Sequence, residues 1–211
     1  MEGALREGGR DADLRLIETL RWDGAQLVRG ERHLARLARS AWALGWGCDV
    51  DAARAALLAG RTGPARVRLV LDRTGDLAVT EGPLVPVVGP WRLGLAGERL
   101  ASADPWLGVK TTRRAAYDTA RAGLPAGLDE AVFLNERGEV CDGTITTVFF
   151  DAGDGMRTPP LSSGLLPGVL REEMLETGAC REAVLVADDL ARVRLWVGNS
   201  LRGLIPAVWA G

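Results

Sequence analysis

The spacing of hydrophobic positions changes period several times along this chain, and each change marks an expected element. Leu14 to Trp22 (LRLIETLRW) reads as a strand, with Asp23-Gly24 as a turn into Gln26 to Val28. From Glu31 onward, Leu34, Leu37, Ala41 and Leu44 recur at helical steps with Arg32, Arg36 and Arg39 between them. This predicts an amphipathic helix ending near Gly45. Asp51 is the expected cap of a second helix through Leu58, stopped by Gly60. Ala65 to Leu71 alternates, with Val67, Leu69 and Leu71 set against Arg66 and Arg68. It turns at Asp72-Arg73-Thr74-Gly75 and returns as Asp76 to Thr80, a hairpin.

Gly82 to Pro90 holds Pro83, Pro86 and Pro90 and reads as a linker, so the chain divides into a small α+β domain at 1–86 and a larger domain at 87–211. Beyond it, Trp91 to Ala96 is an expected strand and Ser102 to Val109 a loop leading to Lys110. Thr112 to Ala122 is an expected helix, Glu130 to Leu134 and Glu139 to Cys141 a hairpin, and Ile145 to Phe150 a buried strand. Thr158 to Pro167 reads as a loop, Val169 to Thr177 as a helix, and Ala183 to Val186 and Arg194 to Val197 as strands. Residues 1–13 are polar and Gly-rich. They predict a frayed tail, with no apolar stretch of the kind a secretory signal needs.

Composition narrows the chemistry. The net charge of −2 removes the simplest case for nucleic-acid binding. The uncharged run Thr158–Leu170 is 13 residues long and broken by prolines, too short to span a bilayer. Cys48, Cys141 and Cys180 are widely spaced, so neither a disulfide framework nor a zinc knuckle is expected, and a cytoplasmic protein is. Lys and Arg total 26, yet Lys110 is the single lysine. Arginine replaces lysine as a charge but not as a nucleophilic amine, which makes Lys110 a candidate for covalent amine chemistry or a leftover surface charge.

Three further features carry candidate chemistry. Gly164-Leu165-Leu166-Pro167-Gly168-Val169-Leu170 is a glycine-bounded loop feeding a helix, which suits a phosphate and is equally ordinary helix-start chemistry. Asp142-Gly143 places a carboxylate at a strand end, either to hold a protonated ring nitrogen or to make an Asx-turn. Asn199-Ser200 follows an apolar strand and could offer a hydroxyl to an anion. The single histidine, His33, falls on the charged side of its helix. With no second His beside it, no metal site is expected, and it reads as a solvated or locally bonded surface residue.

Taken in order, LIETLRWDG, ERHLARLARSAWALG, LGVKTTRRAAYDTAR, DEAVFLNERGEVCDGT, TPPLSSGLLPGVLR and VGNSLRGLIPA resemble the class IV (fold type IV) pyridoxal-phosphate aminotransferase family. That family includes branched-chain and D-amino-acid aminotransferases and aminodeoxychorismate lyase, and the texture here is most similar to the lyase. The resemblance implies a fold type IV α+β protein with a small N-terminal α+β domain and a larger β-rich C-terminal one that carries the cofactor lysine. It also implies pyridoxal 5'-phosphate as cofactor and a homodimer as assembly. By position, Lys110 matches the Schiff-base lysine and Arg36 the arginine on the cofactor phosphate. Val169 and Leu170 match the backbone phosphate cup, Ser200 a phosphate-contacting hydroxyl, and Asp142 the acid that pairs with the pyridinium nitrogen. Arg113, Arg114 and Arg202 are candidate ligands for substrate carboxylates.

The chain departs from the family in three ways. Asp142 stands where a glutamate is usual and is one methylene shorter, Thr146-Thr147 replaces Ser-Asn, and the N-terminus is short, so that the family's usual opening strand and its aromatic-rich approach to the substrate pocket are expected to be missing. The leading activity implied is cleavage of 4-amino-4-deoxychorismate to 4-aminobenzoate and pyruvate, in folate synthesis. Transamination of a branched-chain or D-amino acid is the alternative, and a weakly active cofactor-binding relative a further one. The partner is a small-molecule substrate, neither nucleic acid nor membrane.

Overall fold

Strand β1 (Leu16–Trp22) organises the first of two units in the computed structural model, which describes residues 2–211. It pairs antiparallel with β2 (Leu27–Val28) on one side and with β3 (Ala65–Leu71) on the other. β4 (Leu77–Gly82) continues from β3, giving the order β2-β1-β3-β4. The expected helix is α2 (Gly30–Leu44), whose buried face holds Leu34, Leu37, Ala41 and Leu44 as its spacing requires. Helix α3 (Val50–Leu58) is capped by Asp49, not Asp51. The Asp49 side chain accepts the Ala52 N–H at 2.9 Å, because the chain is still extended at Asp49 and already helical at Asp51.

Residues 2–13 are more ordered than a frayed tail. Helix α1 (Glu2–Gly8) buries Leu5, and the Trp46 indole N–H donates to the Gly9 carbonyl at 2.8 Å. A Cβ on Gly9 would lie 2.8 Å from the Leu44 carbonyl oxygen, so glycine allows this close approach to the end of α2.

By contacts the first unit runs to Pro86 and takes in Val109–Arg113; the second holds Val87–Gly108 and Arg114–Gly211. The segment with Lys110 thus differs from the expectation that it sits in the larger unit. It pairs with the start of β1, with Leu16 bridging Thr111 and the Ile17 N–H donating to the Lys110 carbonyl at 2.9 Å.

The second unit is a mixed eight-stranded sheet, built from β5 (Trp91–Leu100), β6 (Glu130–Asn135), β7 (Val140–Gly143), β8 (Thr147–Asp151), β9 (Met156–Thr158), β10 (Arg181–Glu182), β11 (Arg194–Asn199) and β12 (Gly203–Trp209) in the order β10-β9-β8-β11-β12-β5-β6-β7. Its main core holds Leu93, Val132, Val140, Val148, Val197 and Ile205, all essentially fully buried. Helix α4 (Ala115–Ala122) begins three residues later than expected, because Thr112 still donates its N–H to Arg15. Helix α5 (Val169–Glu176) starts where the sequence places it. The expected strand at Ala183 to Val186 is instead an irregular connection. It bonds through the Ala183 N–H to Thr158 and through the Leu185 carbonyl to Val140, while β10 forms just before it. A small four-stranded sheet unit followed by a larger eight-stranded one gives the α+β class expected from the sequence.

Candidate functional site

In the first unit, β1 and α2 bury three ionisable side chains against each other. Glu18, His33 and Arg36 are 3%, 2% and 5% exposed. The Glu18 carboxylate accepts the Arg36 Nε–H at 2.9 Å on Oε1 and an Nη2–H at 2.6 Å on Oε2, a two-pronged charge-assisted pair. His33 Nδ1 lies 2.6 Å from the same Oε2. Burial pushes the Glu18 carboxyl up, but the Arg36 charge and the His33 hydrogen bond outweigh it and hold the group at about 2. Burial holds His33 below the ordinary imidazole value, against the pull of Glu18, with Arg36 and Lys110 adding to the depression. The neutral ring therefore donates Nδ1–H to a charged Glu18. His33 is not the surface residue that its place on the charged side of α2 suggested, because β1 carries a carboxylate to meet it.

Lys110 is half-buried on the segment paired to β1, and its charge reaches His33. The fold thus gathers Lys110 and Arg36, 74 positions apart in the chain, around one strand. Arg113, at the end of that segment, is exposed.

In the second unit, Asp142 lies on β7, is 6% exposed and accepts the Leu166 N–H at 3.4 Å. The turn after it is held by Glu130, at the head of β6 and 0% exposed. Glu130 accepts the Thr144 N–H at 3.0 Å, the Ile145 N–H at 3.2 Å, the Thr146 hydroxyl at 2.8 Å and the Thr144 hydroxyl. Gly143 is required here, since a Cβ would meet Thr146 Oγ1 at 2.5 Å and the Glu130 carboxylate at 3.0 Å.

Val169 and Leu170 form the first turn of α5. Gly168 precedes it with no side-chain cap, which leaves the helix start to backbone amides and the positive end of the dipole. Ser200 is 6% exposed in the turn between β11 and β12. Asn199 secures that turn, accepting the Arg202 N–H at 2.9 Å and donating to the Ile145 carbonyl at 3.0 Å. A Cβ on Gly168 would lie 2.9 Å from Thr147 Oγ1, and one on Gly198 2.9 Å from a Leu170 methyl. The turn after Asp142, the start of α5 and the Ser200 turn are therefore packed into one region.

The candidate arginines fare differently. Arg114 donates to the Thr144 carbonyl at 3.0 Å and to Asp118 at 2.7 Å, with its guanidinium 5.7 Å above the Tyr117 ring. It braces the turn after Asp142. Arg202 is half-buried and lies 5.7 Å from the Trp91 ring centre. Burial and then the Asp142 charge push the Tyr117 phenol above its ordinary value, so it stays protonated. Sequence reasoning passed over Glu18 and Glu130; the available signal was a lone acid in or beside an apolar strand.

Among the described residues no group of His, Cys, Asp and Glu is placed to hold a metal ion, and no helix is long and apolar enough to cross a membrane. The sequence profile of the family described as amino-transferase class IV matches residues 15–208. A curated Schizosaccharomyces pombe protein described as "Putative aminodeoxychorismate lyase" is 31% identical over 175 residues, covering 79% of this chain and 75% of that one. A Mesorhizobium loti crystal structure described as a "Putative amino-acid aminotransferase" is 47% identical, with TM-score 0.87 over 94% of this chain and 100% of that one. The 4-amino-4-deoxychorismate lyase of Pseudomonas aeruginosa is 25% identical, with TM-score 0.80 over 92% of this chain and 82% of that one. From these matches and from its two-unit fold, the chain belongs to the class IV aminotransferase family of pyridoxal-phosphate enzymes.

Proposed function

We propose that this protein is a pyridoxal-phosphate-dependent lyase that converts 4-amino-4-deoxychorismate to 4-aminobenzoate and pyruvate. The observation that carries the reading is the 31% match across 79% of the chain to the S. pombe protein described as such a lyase. The residues fit the cofactor. The chain has one side-chain primary amine, a buried carboxylate at a strand end, a helix start without a side-chain cap, and a buried arginine.

When bound, pyridoxal phosphate supplies an electron sink for the pair left on the substrate's amine-bearing carbon. Arg36, the amides of Val169 and Leu170, and the Ser200 hydroxyl would hold its phosphate. Asp142 would hold the proton on the ring nitrogen. Lys110 Nζ would anchor the cofactor's aldehyde carbon and would serve as the base for the proton on the substrate's amine-bearing carbon. The enolpyruvyl group would leave with its bridging oxygen as enolpyruvate, which takes up one proton to become pyruvate while the ring aromatises, so no second, keto-acid substrate would be needed. Arg113 and Arg202 remain candidates for the two substrate carboxylates. Arg114 is the weakest of the three, given its bonds to Thr144 and Asp118.

Transamination of an amino acid is the second reading, favoured by the 47% identity to the M. loti protein described as an aminotransferase. Both readings take the protein as a cytoplasmic homodimer. The exposed Trp42, Leu58 and Val85 and the free thiols Cys48, Cys141 and Cys180 support this, and sedimentation as a monomer at micromolar concentration would count against the dimer. The activity is tested by supplying aminodeoxychorismate to the reconstituted protein and following pyruvate. Release by the wild type and none by Lys110→Ala is the expected result; equal release by both would refute the reading.

A further inference from the structure

Three ionisable side chains meet inside the first unit, and the proposed reaction uses only Arg36. Burying an ion pair with a neutral imidazole beside it is expensive unless every partner is satisfied, so an arrangement of this kind calls for a role. We infer that Glu18 and His33 are positioning residues for the phosphate-binding guanidinium of Arg36, and that the preference for phosphorylated over dephosphorylated cofactor depends on their hydrogen bonds. The inference rests on the reading of Arg36 as phosphate ligand.

The geometry supports it at each link. Both oxygens of Glu18 are engaged by one edge of the guanidinium, at 2.9 and 2.6 Å, which fixes the plane as well as the position of the fork. Glu18 is itself fixed by β1, where it lies opposite Leu69 of β3, and by His33 at 2.6 Å. His33 and Arg36 lie one turn apart on α2, so the loop of bonds closes between helix and strand. The charged groups that face His33 are Glu18 from β1, Arg36 from its own helix and Lys110 from the paired segment, and together with burial they leave it a neutral donor.

Electrostatics makes the inference sharp. A carboxylate beside an arginine meant for a phosphate opposes the incoming anion. If Glu18 acted only as a charge, replacing it by Gln would tighten phosphate binding. If it positions the guanidinium, the same replacement weakens binding, because the fork is released and its ordering must be supplied by the ligand.

The test is the ratio of dissociation constants for pyridoxal and pyridoxal 5'-phosphate, titrated into the apoprotein by absorbance. Glu18→Gln and His33→Leu should shrink this ratio by about tenfold, through weaker binding of the phosphorylated form with pyridoxal unchanged. His33→Asn keeps an N–H donor near the Nδ1 position and should retain the ratio. If Glu18→Gln does not fold, the two His33 variants decide the matter alone. A ratio kept or enlarged in Glu18→Gln, or equal losses for both ligands, would overturn the inference, as would a His33→Asn protein no better than His33→Leu. Loss of the ratio in Arg36→Ala with retention in Glu18→Gln would overturn the inference alone. Retention in Arg36→Ala would overturn the phosphate assignment, and the inference with it.

Discussion

Acidification should remove the stabilisation that Glu18 provides, and Glu18→Gln should remove it at every pH. The carboxyl is 3% exposed and held at about 2 against an unfolded value of 4.5. A group depressed in this way stabilises the fold above its unfolded value and loses that contribution as pH falls toward its folded value. Taking those two values, the wild type should exceed the variant by about 3 kcal/mol at pH 7, by about 2 at pH 3.5 and by less than about 1 at pH 2.5. Below that, Gln and a protonated Glu leave Arg36 in the same position. Both apoproteins are unfolded in urea at each pH and the difference in free energy is plotted, so that titrating groups remote from Glu18 cancel. His33 adds a slope of its own. Its depressed value means that stability falls as pH drops through the ordinary imidazole range, where the unfolded chain takes up a proton and the folded one does not. A difference between wild type and variant that stays flat from pH 7 to 2.5 would show that Glu18 is not charged in the folded protein.

Other expectations follow from single positions. Lys110→Ala should lose all reductive attachment of pyridoxal phosphate by borohydride while keeping its circular dichroism spectrum; label recovered on the N-terminal peptide would contradict this. Gly164 has φ of 85° and a Cβ there would lie 2.6 Å from Ser102 Cα. Gly164→Ala should therefore lower stability by about 1–3 kcal/mol in urea unfolding and displace the loop that leads to Val169. Phe133→Ala removes a ring that is 0% exposed and packs 5.0 Å from Tyr117, and should cost about 3–5 kcal/mol by the same assay. Glu130→Gln weakens the acceptor of the turn after Asp142 and should weaken cofactor affinity more than Asp118→Asn, which loosens only Arg114.

Local periodicity made α2, β3 and the start of α5 legible, and composition singled out Lys110 as a candidate, because arginine replaces lysine as a charge but not as an amine. What could not be read lies in long-range pairing. His33 and Arg36 count as polar in any helical pattern, and only the β1 carboxylate turns their face inward. Glu130 looks like the solvent edge of EAVFL until the turn at 143–147 folds over it. Arg114 stands four positions after Lys110, yet the chain leaves the first unit between Arg113 and Arg114, a boundary that adjacency in sequence does not show. The acidic cap of α3 was misplaced by two residues, a matter of where extended backbone gives way to helix.

The central claim, lyase over transaminase, is tested by one competition. The reconstituted enzyme is given aminodeoxychorismate alone, then aminodeoxychorismate with leucine, D-alanine and 2-oxoglutarate, and 4-aminobenzoate, pyruvate and glutamate are measured together. The account predicts equal amounts of 4-aminobenzoate and pyruvate over many turnovers, with no dependence on the keto acid and no glutamate. Glutamate formed in step with amino-donor consumption, with no 4-aminobenzoate in either mixture, would contradict it.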